Sequence, residues 1–181
     1  VFASIFLRAG GIDPLTTRYY GLVTDGNAGP RFMRGCADNI PAFVASGPTG
    51  DPGTYTEFAW DDGNDGESYG DWYMGHELGH AWGRKHVFCN GKEDDTDSAY
   101  PMTNGFMGRK AGVDYYWGFD VSLKGPIVYP PTWTDVMTYC ANQWISAYTY
   151  EAIRTQLVAE NSAAAAEVTG AMMGAPVDSL I

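Results

Sequence analysis

The pattern of apolar and polar positions changes character near residue 86 of this 181-residue chain. Before it, the pattern predicts helices and strands. Residues 1–9 read as part of a helix, stopped by Gly10-Gly11 and a turn at Asp13-Pro14. Residues 19–24 are rich in β-branched and aromatic residues and read as a strand. Residues 26–34 contain glycines and read as a loop, while 41–46 form a short apolar run that suits a buried strand. Residues 54–60 alternate, as a half-exposed strand does, and 61–67 form an acidic turn. A helix is expected from Ser68 or Asp71 to Trp82. Between residues 87 and 135, turn formers dominate, and 91–100, 101–108 and 124–131 read as ordered loops. The second clear helix covers 148–160, where Ala152, Ile153, Leu157 and Val158 line one face. Residues 163–181 can continue it before becoming a tail. The expected class is mixed α+β, with strands and helices first and a loop-rich half closed by a helix.

The helix ending near Trp82 carries the chemistry. Residues 76–86 read His-Glu-Leu-Gly-His-Ala-Trp-Gly-Arg-Lys-His and hold all three histidines of the chain. His76 and His80 are four apart, so a helix projects them from one face, one turn above the other. Two imidazoles so placed can share a Zn²⁺ ion. Glu77 lies one position on, within reach of a metal-bound water without being a ligand. Gly83 can adopt the left-handed conformation that ends a helix and turns the chain. The turn returns His86 toward the metal as a third ligand. Three protein ligands leave one position of a tetrahedral ion for water, the catalytic arrangement. The alternative is a surface helix that happens to carry histidines, and five matched positions outweigh it.

HExxHxxGxxH resembles the signature of the metzincin zinc endopeptidases. That clan has a tight turn with a methionine under the metal, and Asp135-Val136-Met137-Thr138-Tyr139-Cys140 supplies one, with Met137 51 residues after His86. The Met-x-Tyr form is similar to the astacin and serralysin branches, whose tyrosine approaches the metal; Tyr139 holds that position. Val87 follows the third histidine where the named branches have glutamate, serine, aspartate or proline. The resemblance is therefore to the clan and to no single branch. It implies a twisted sheet with helices above a cleft and an irregular half below. The whole chain, 1–181, would be one catalytic domain, with subdomains of 1–86 and 87–165 and a tail of 166–181. The implied activity is peptide hydrolysis by a zinc-bound water, with Glu77 as general base and Tyr139 helping to stabilise the oxyanion.

If both landmarks approach the metal, Cys89 and Cys140, each three residues beyond one of them, come together. A Cys89–Cys140 disulfide with Cys36 left over is the expectation, against three thiols in a reducing compartment. The disulfide implies a secreted or periplasmic destination.

Composition narrows the partners. The formal charge of −11 argues against nucleic acid and anionic membranes, since both demand a basic surface. No stretch reaches the ~20 apolar residues of a membrane span. Val1–Leu7 is apolar but lacks the basic start of a signal peptide, so residues upstream are expected to be missing or removed. The expected partner is a protein or peptide substrate, met by a monomer. Two acidic runs, 61–67 and 93–97, offer clustered oxygens for Ca²⁺, although the residue twelfth from Asp61 is Trp72 and not the glutamate of an EF-hand. A charge run is more often a solvated face. Tyr115, Tyr116, Trp117, Tyr129 and Trp133 fall where a primed-side pocket would form, or else pack in the core. Two other functions stay open: a non-catalytic binding module on a metzincin-like frame, and a zinc amidohydrolase acting on a non-peptide substrate.

Overall fold

The computed structural model describes residues 17–23, 35–49, 70–121 and 125–174, the last eight by backbone only. The predicted helix at 1–9, the loop at 26–34, the strand at 54–60 and the acidic turn at 61–67 lie outside the described residues. Within them the protein is mixed α+β, with two α-helices and several small sheets.

The first layer is a three-stranded sheet. Strand β1 (Tyr19–Val23) runs parallel to β3 (Val44–Pro48), and β2 (Cys36–Ala37) pairs antiparallel with β3 on its other side. Among the described residues, the strand order β1-β3-β2 leaves β2 at an edge. The apolar run predicted at 41–46 thus becomes strand two to three residues later, in β3. Helix α1 (Gly70–Ala81) packs on this sheet. Its buried residues are Gly70, Tyr73, His76, Glu77, Gly79, His80 and Ala81. That stripe has helical spacing, but most of its members are polar or small.

The second half is built from two-residue and three-residue strands joined by turns. Strands β4 (Arg109–Lys110) and β5 (Val113–Asp114) form one hairpin, and β6 (Gly118–Asp120) and β7 (Ile127–Tyr129) another. The segment expected as a loop at 124–131 therefore contains a strand. Strands β8 (Thr134–Asp135) and β9 (Gln143–Trp144) run parallel and frame the turn that holds Met137. Helix α2 (Ala147–Gly174) covers the predicted 148–160 and runs on into the segment from 163 expected to continue it. Ser146 caps it by accepting from the Thr149 amide at 3.1 Å.

Val87, Val136 and Met137 form a buried cluster packed by Trp72, Tyr100 and Ile145. It sits between α1 and the second half, directly beneath the histidines. Ionic contacts tie the layers together around it. Arg84 bonds Asp97 at 2.8 Å, Tyr148 of α2 donates to the same carboxylate at 2.9 Å, and the Arg84 guanidinium lies over the Tyr148 ring. Arg18 donates to the carbonyl of Ala81 and pairs with Glu160, joining β1's approach to both helices.

Candidate metal centre

The end of α1 is shaped by its glycine. Gly83 has φ of 78°, in the left-handed region. The Arg84 amide reaches back to the carbonyl of Gly79 at 2.9 Å, and the Gly83 amide to that of His80 at 2.9 Å. These two bonds are the Schellman motif, which satisfies the last orphan carbonyls of a helix. The turn also brings the Arg84 carbonyl against His80, where it accepts from Nδ1 at 2.7 Å. Helix capping and ligand orientation are therefore one event.

The same device orients all three imidazoles. His76 Nδ1 lies 2.8 Å from the carbonyl of Val136, and His86 Nδ1 lies 2.7 Å from that of Asp94. A carbonyl only accepts, so each Nδ1 carries the proton and each Nε2 presents a lone pair. Such outer contacts fix the tautomer and raise ligand basicity. The ligand atoms of His76, His80 and His86 all lie within 4.8 Å of one another, and the group is buried. Nε2 of His80 and of His86 are 3.1 Å apart. Two ligands at about 2.0–2.1 Å on a tetrahedral ion are separated by roughly 3.3 Å. Facing lone pairs at this distance repel unless a cation lies between them, so the group can hold a metal ion. Burial, with help from neighbouring His80, pushes the His76 pKa down to about 3. Burial lowers that of His80 as well. Both stay neutral near pH 7, as ligands must be.

Glu77 is buried next to this group, and burial raises its pKa to about 7. Gly35 faces it, and a Cβ there would run into the Glu77 carboxylate. A larger residue at 35 would therefore displace the Glu77 carboxylate from its present position. Tyr139 stands on the other side, its hydroxyl 2.9 Å from His86 Nε2. Burial and then the charges of Asp94, Glu77 and Glu93 push its pKa up to about 12. It is therefore a neutral phenol that donates to the bare lone pair of His86.

Met137 is fully buried under the histidines. It packs against Gly79, and any Cβ at that position would collide with its sulfur. Gly79 is one of the unspecified positions of HExxH, so the motif does not mark it. The expected disulfide joins Cys89 to Cys140, with Cα atoms 6.4 Å apart, and Cys36 is an exposed free thiol. A backbone bond from the Val87 amide to the Met137 carbonyl, 2.9 Å, runs alongside. Glu93 adds a third tie: its carboxylate accepts from the amides of Tyr139 (3.1 Å), Asn90 (3.3 Å) and Gly91 (3.2 Å). Burial alone would raise its pKa; these donors overcome that and lower it.

The carboxylates of the 93–97 run thus have protein partners: Glu93 the amides, Asp95 Lys85 at 2.6 Å, Asp97 Arg84 and Tyr148, and Asp94 His86 at 3.0 Å. They are spread over separate contacts, and among the described residues no three of them form a cluster that could hold an ion. The 61–67 run lies outside the described residues.

A cleft of about 540 Å³ opens over the histidines. One wall is Gly35, Cys36, Ala37, Asn39 and Ile40; the other carries Lys85, Asp94 and Asp95, with Glu77 and Tyr139 at the floor. None of the five aromatics expected near the primed side lines it. Tyr115, Tyr116 and Trp117 are exposed elsewhere, whereas Tyr129 is buried and stacks on Trp133 at 4.2 Å. The sequence reasoning missed the Gly35–Ile40 wall, because nothing local links an edge strand to a motif 40 residues later.

Compared with known proteins, the chain matches no family model, no curated protein and no solved structure.

Proposed function

We propose that the protein is a zinc-dependent endopeptidase of metzincin type that works outside the cytoplasm. The observation that carries this reading is the convergence of three imidazole Nε2 atoms, each locked by a backbone carbonyl, beside the buried carboxylate of Glu77. Imidazole sets of this kind suit zinc among the common metals. When bound, zinc would lower the pKa of its water toward 7 and polarise the scissile carbonyl. Glu77, whose carboxylate is buried beside the histidines, accepts the proton of the attacking water and delivers it to the leaving amine. The Tyr139 phenol swings from His86 to donate to the oxygen that becomes negative. No covalent enzyme intermediate is required, so no cysteine acts as a nucleophile.

Strand β2 is the docking edge this reading selects. Among the described residues it is antiparallel to its neighbour, lies at the end of its sheet and lines the cleft through Cys36 and Ala37. An extended peptide can add to it through main-chain hydrogen bonds. Glu77 in place beside the histidines weighs against a non-catalytic binding module. The disulfide favours an oxidising destination, and no helix among the described residues is long and apolar enough to cross a membrane.

Casein digestion with and without a chelator, alongside metal analysis, tests the proposal. Stoichiometric zinc and chelator-sensitive cleavage are expected, and His86→Ala should lose both. A zinc-loaded protein that cleaves no peptide but hydrolyses small amides would favour the amidohydrolase; one inert toward both would be a binding module. Full zinc in His86→Ala would remove His86 from the site.

A further inference from the structure

Below the metal centre lies a carboxylate that the proposed mechanism does not use. Asp135 is completely buried. One of its oxygens accepts from the amide of Met137 at 2.8 Å. The other accepts from the amide of Ser146 at 3.1 Å, at the N-terminus of α2. Both oxygens face N–H groups, which an ionised carboxylate satisfies fully. The positive end of the α2 dipole lies beside it. Burial holds the pKa of Asp135 above its ordinary value, although the Ser146, Met137 and Thr149 donors act to lower it.

The Met137 amide belongs to the same peptide group as the Val136 carbonyl. That carbonyl is the atom to which His76 donates its Nδ1 proton, at 2.8 Å. One rigid, planar peptide therefore has the buried carboxylate on its N–H end and a metal ligand on its C=O end. We propose that Asp135 is a positioning residue for His76, acting through the Val136–Met137 peptide group as an indirect form of the carboxylate–histidine–metal triad. Two effects follow from the geometry. The carboxylate fixes the rotation of the peptide plane, and hence the ring orientation of His76. It also polarises the amide, because hydrogen bonds in a chain strengthen one another. A more negative carbonyl holds the Nδ1 proton more firmly and leaves Nε2 a better donor to the metal. Through Ser146, the same carboxylate couples this orientation to the docking of α2. The other two histidines are held differently: the Arg84 carbonyl that His80 meets belongs to the helix cap, and His86 meets Asp94 directly.

This inference rests on the zinc reading, and the experiment separates the two. Asp135→Asn keeps the shape but presents an amide NH₂ to one of the two N–H donors. Zinc affinity is measured by competition with a chromogenic chelator under conditions where parent and variant are both fully folded, so that global stability drops out. Removal of such an outer partner typically costs 10–100-fold in metal affinity, and that loss is expected. In the metal-free proteins, the His76 Nδ1 proton resonance should move upfield in the variant, while those of His80 and His86 stay in place. Unchanged affinity and an unmoved His76 resonance, with only a lower melting temperature, would overturn the proposal and make Asp135 a structural residue. If the variant does not fold, the parent decides by hydrogen-bond scalar couplings. Couplings from the Met137 amide to the Asp135 carboxylate and from His76 Nδ1 to the Val136 carbonyl are both expected, and absence of either defeats the relay. A parent that binds no zinc defeats the zinc reading itself and the inference with it.

Discussion

Replacing Glu77 by glutamine should stabilise the metal-free protein at neutral pH and at the same time abolish hydrolysis. Burial raises the Glu77 pKa from 4.5 to about 7. Between those values the unfolded chain has released the proton and the folded chain still holds it. The folded state binds more protons there, so stability falls as pH rises through the window and levels off above it. At about 1.36 kcal/mol per pKa unit the full effect is roughly 3.4 kcal/mol, an upper bound because water enters the cleft. A gain of about 2 kcal/mol is the working expectation, or roughly 4–8 °C in melting temperature for a chain of this size. Denaturant unfolding of parent and Glu77→Gln, in chelator, at about pH 4 and about pH 8 isolates the effect. The lowered pKa values of His76 and His80 make both proteins less stable in acid, but that contribution is common to both and cancels in the difference. At the lower pH both side chains are neutral and the two proteins should match within a few tenths of a kcal/mol; at the higher pH the gap should open. A gap of the same size at both pH values would refute the ionisation argument. With zinc restored, Glu77→Gln should bind the metal normally yet turn over ~10²–10⁴-fold more slowly. Near-parental turnover would sink its role as base.

Removing the disulfide by Cys89→Ser with Cys140→Ser reopens a loop with a sequence separation of 51 and should cost about 4 kcal/mol before any relaxation, read from unfolding curves. All three thiols labelling in the folded parent without reductant would contradict the bridge. Gly79→Val drives a branched side chain into Met137 and should destabilise by about 1–3 kcal/mol; a melting temperature equal to the parent's would show that the methionine can move aside. Tyr139→Phe should bind zinc as the parent does and lose about 10²-fold or less in turnover, because the metal still stabilises the oxyanion. An unchanged rate would leave Tyr139 a structural residue.

What the sequence determined by itself is the group of histidines that could hold a metal ion and its local geometry. The spacing of His76, Glu77, His80, Gly83 and His86 is legible because a helix of fixed pitch and a glycine-terminated cap are local objects, and both stand as expected. The pairing of Cys89 with Cys140 was legible at one remove, since each cysteine is three residues from a segment that packs at the histidine group. Hydropathy alone would have passed over α1, whose buried stripe is mostly histidine, glutamate and glycine, with Tyr73 and Ala81 as its apolar members. Its helicity was readable only through the motif. Tertiary structure decided the rest. It placed Gly35 against Glu77, Gly79 against Met137, and the 35–40 segment as a cleft wall. It exposed Tyr115, Tyr116 and Trp117 and buried Tyr129, although all four are aromatic and close in sequence. It spent the carboxylates of Glu93 and Asp97 on amides, arginine and tyrosine. Above all it put the Val136–Met137 peptide between Asp135 and His76, 59 residues apart. These are facts about which surfaces meet, and they follow from packing distant segments together; residue type and spacing within a single segment carry no record of them.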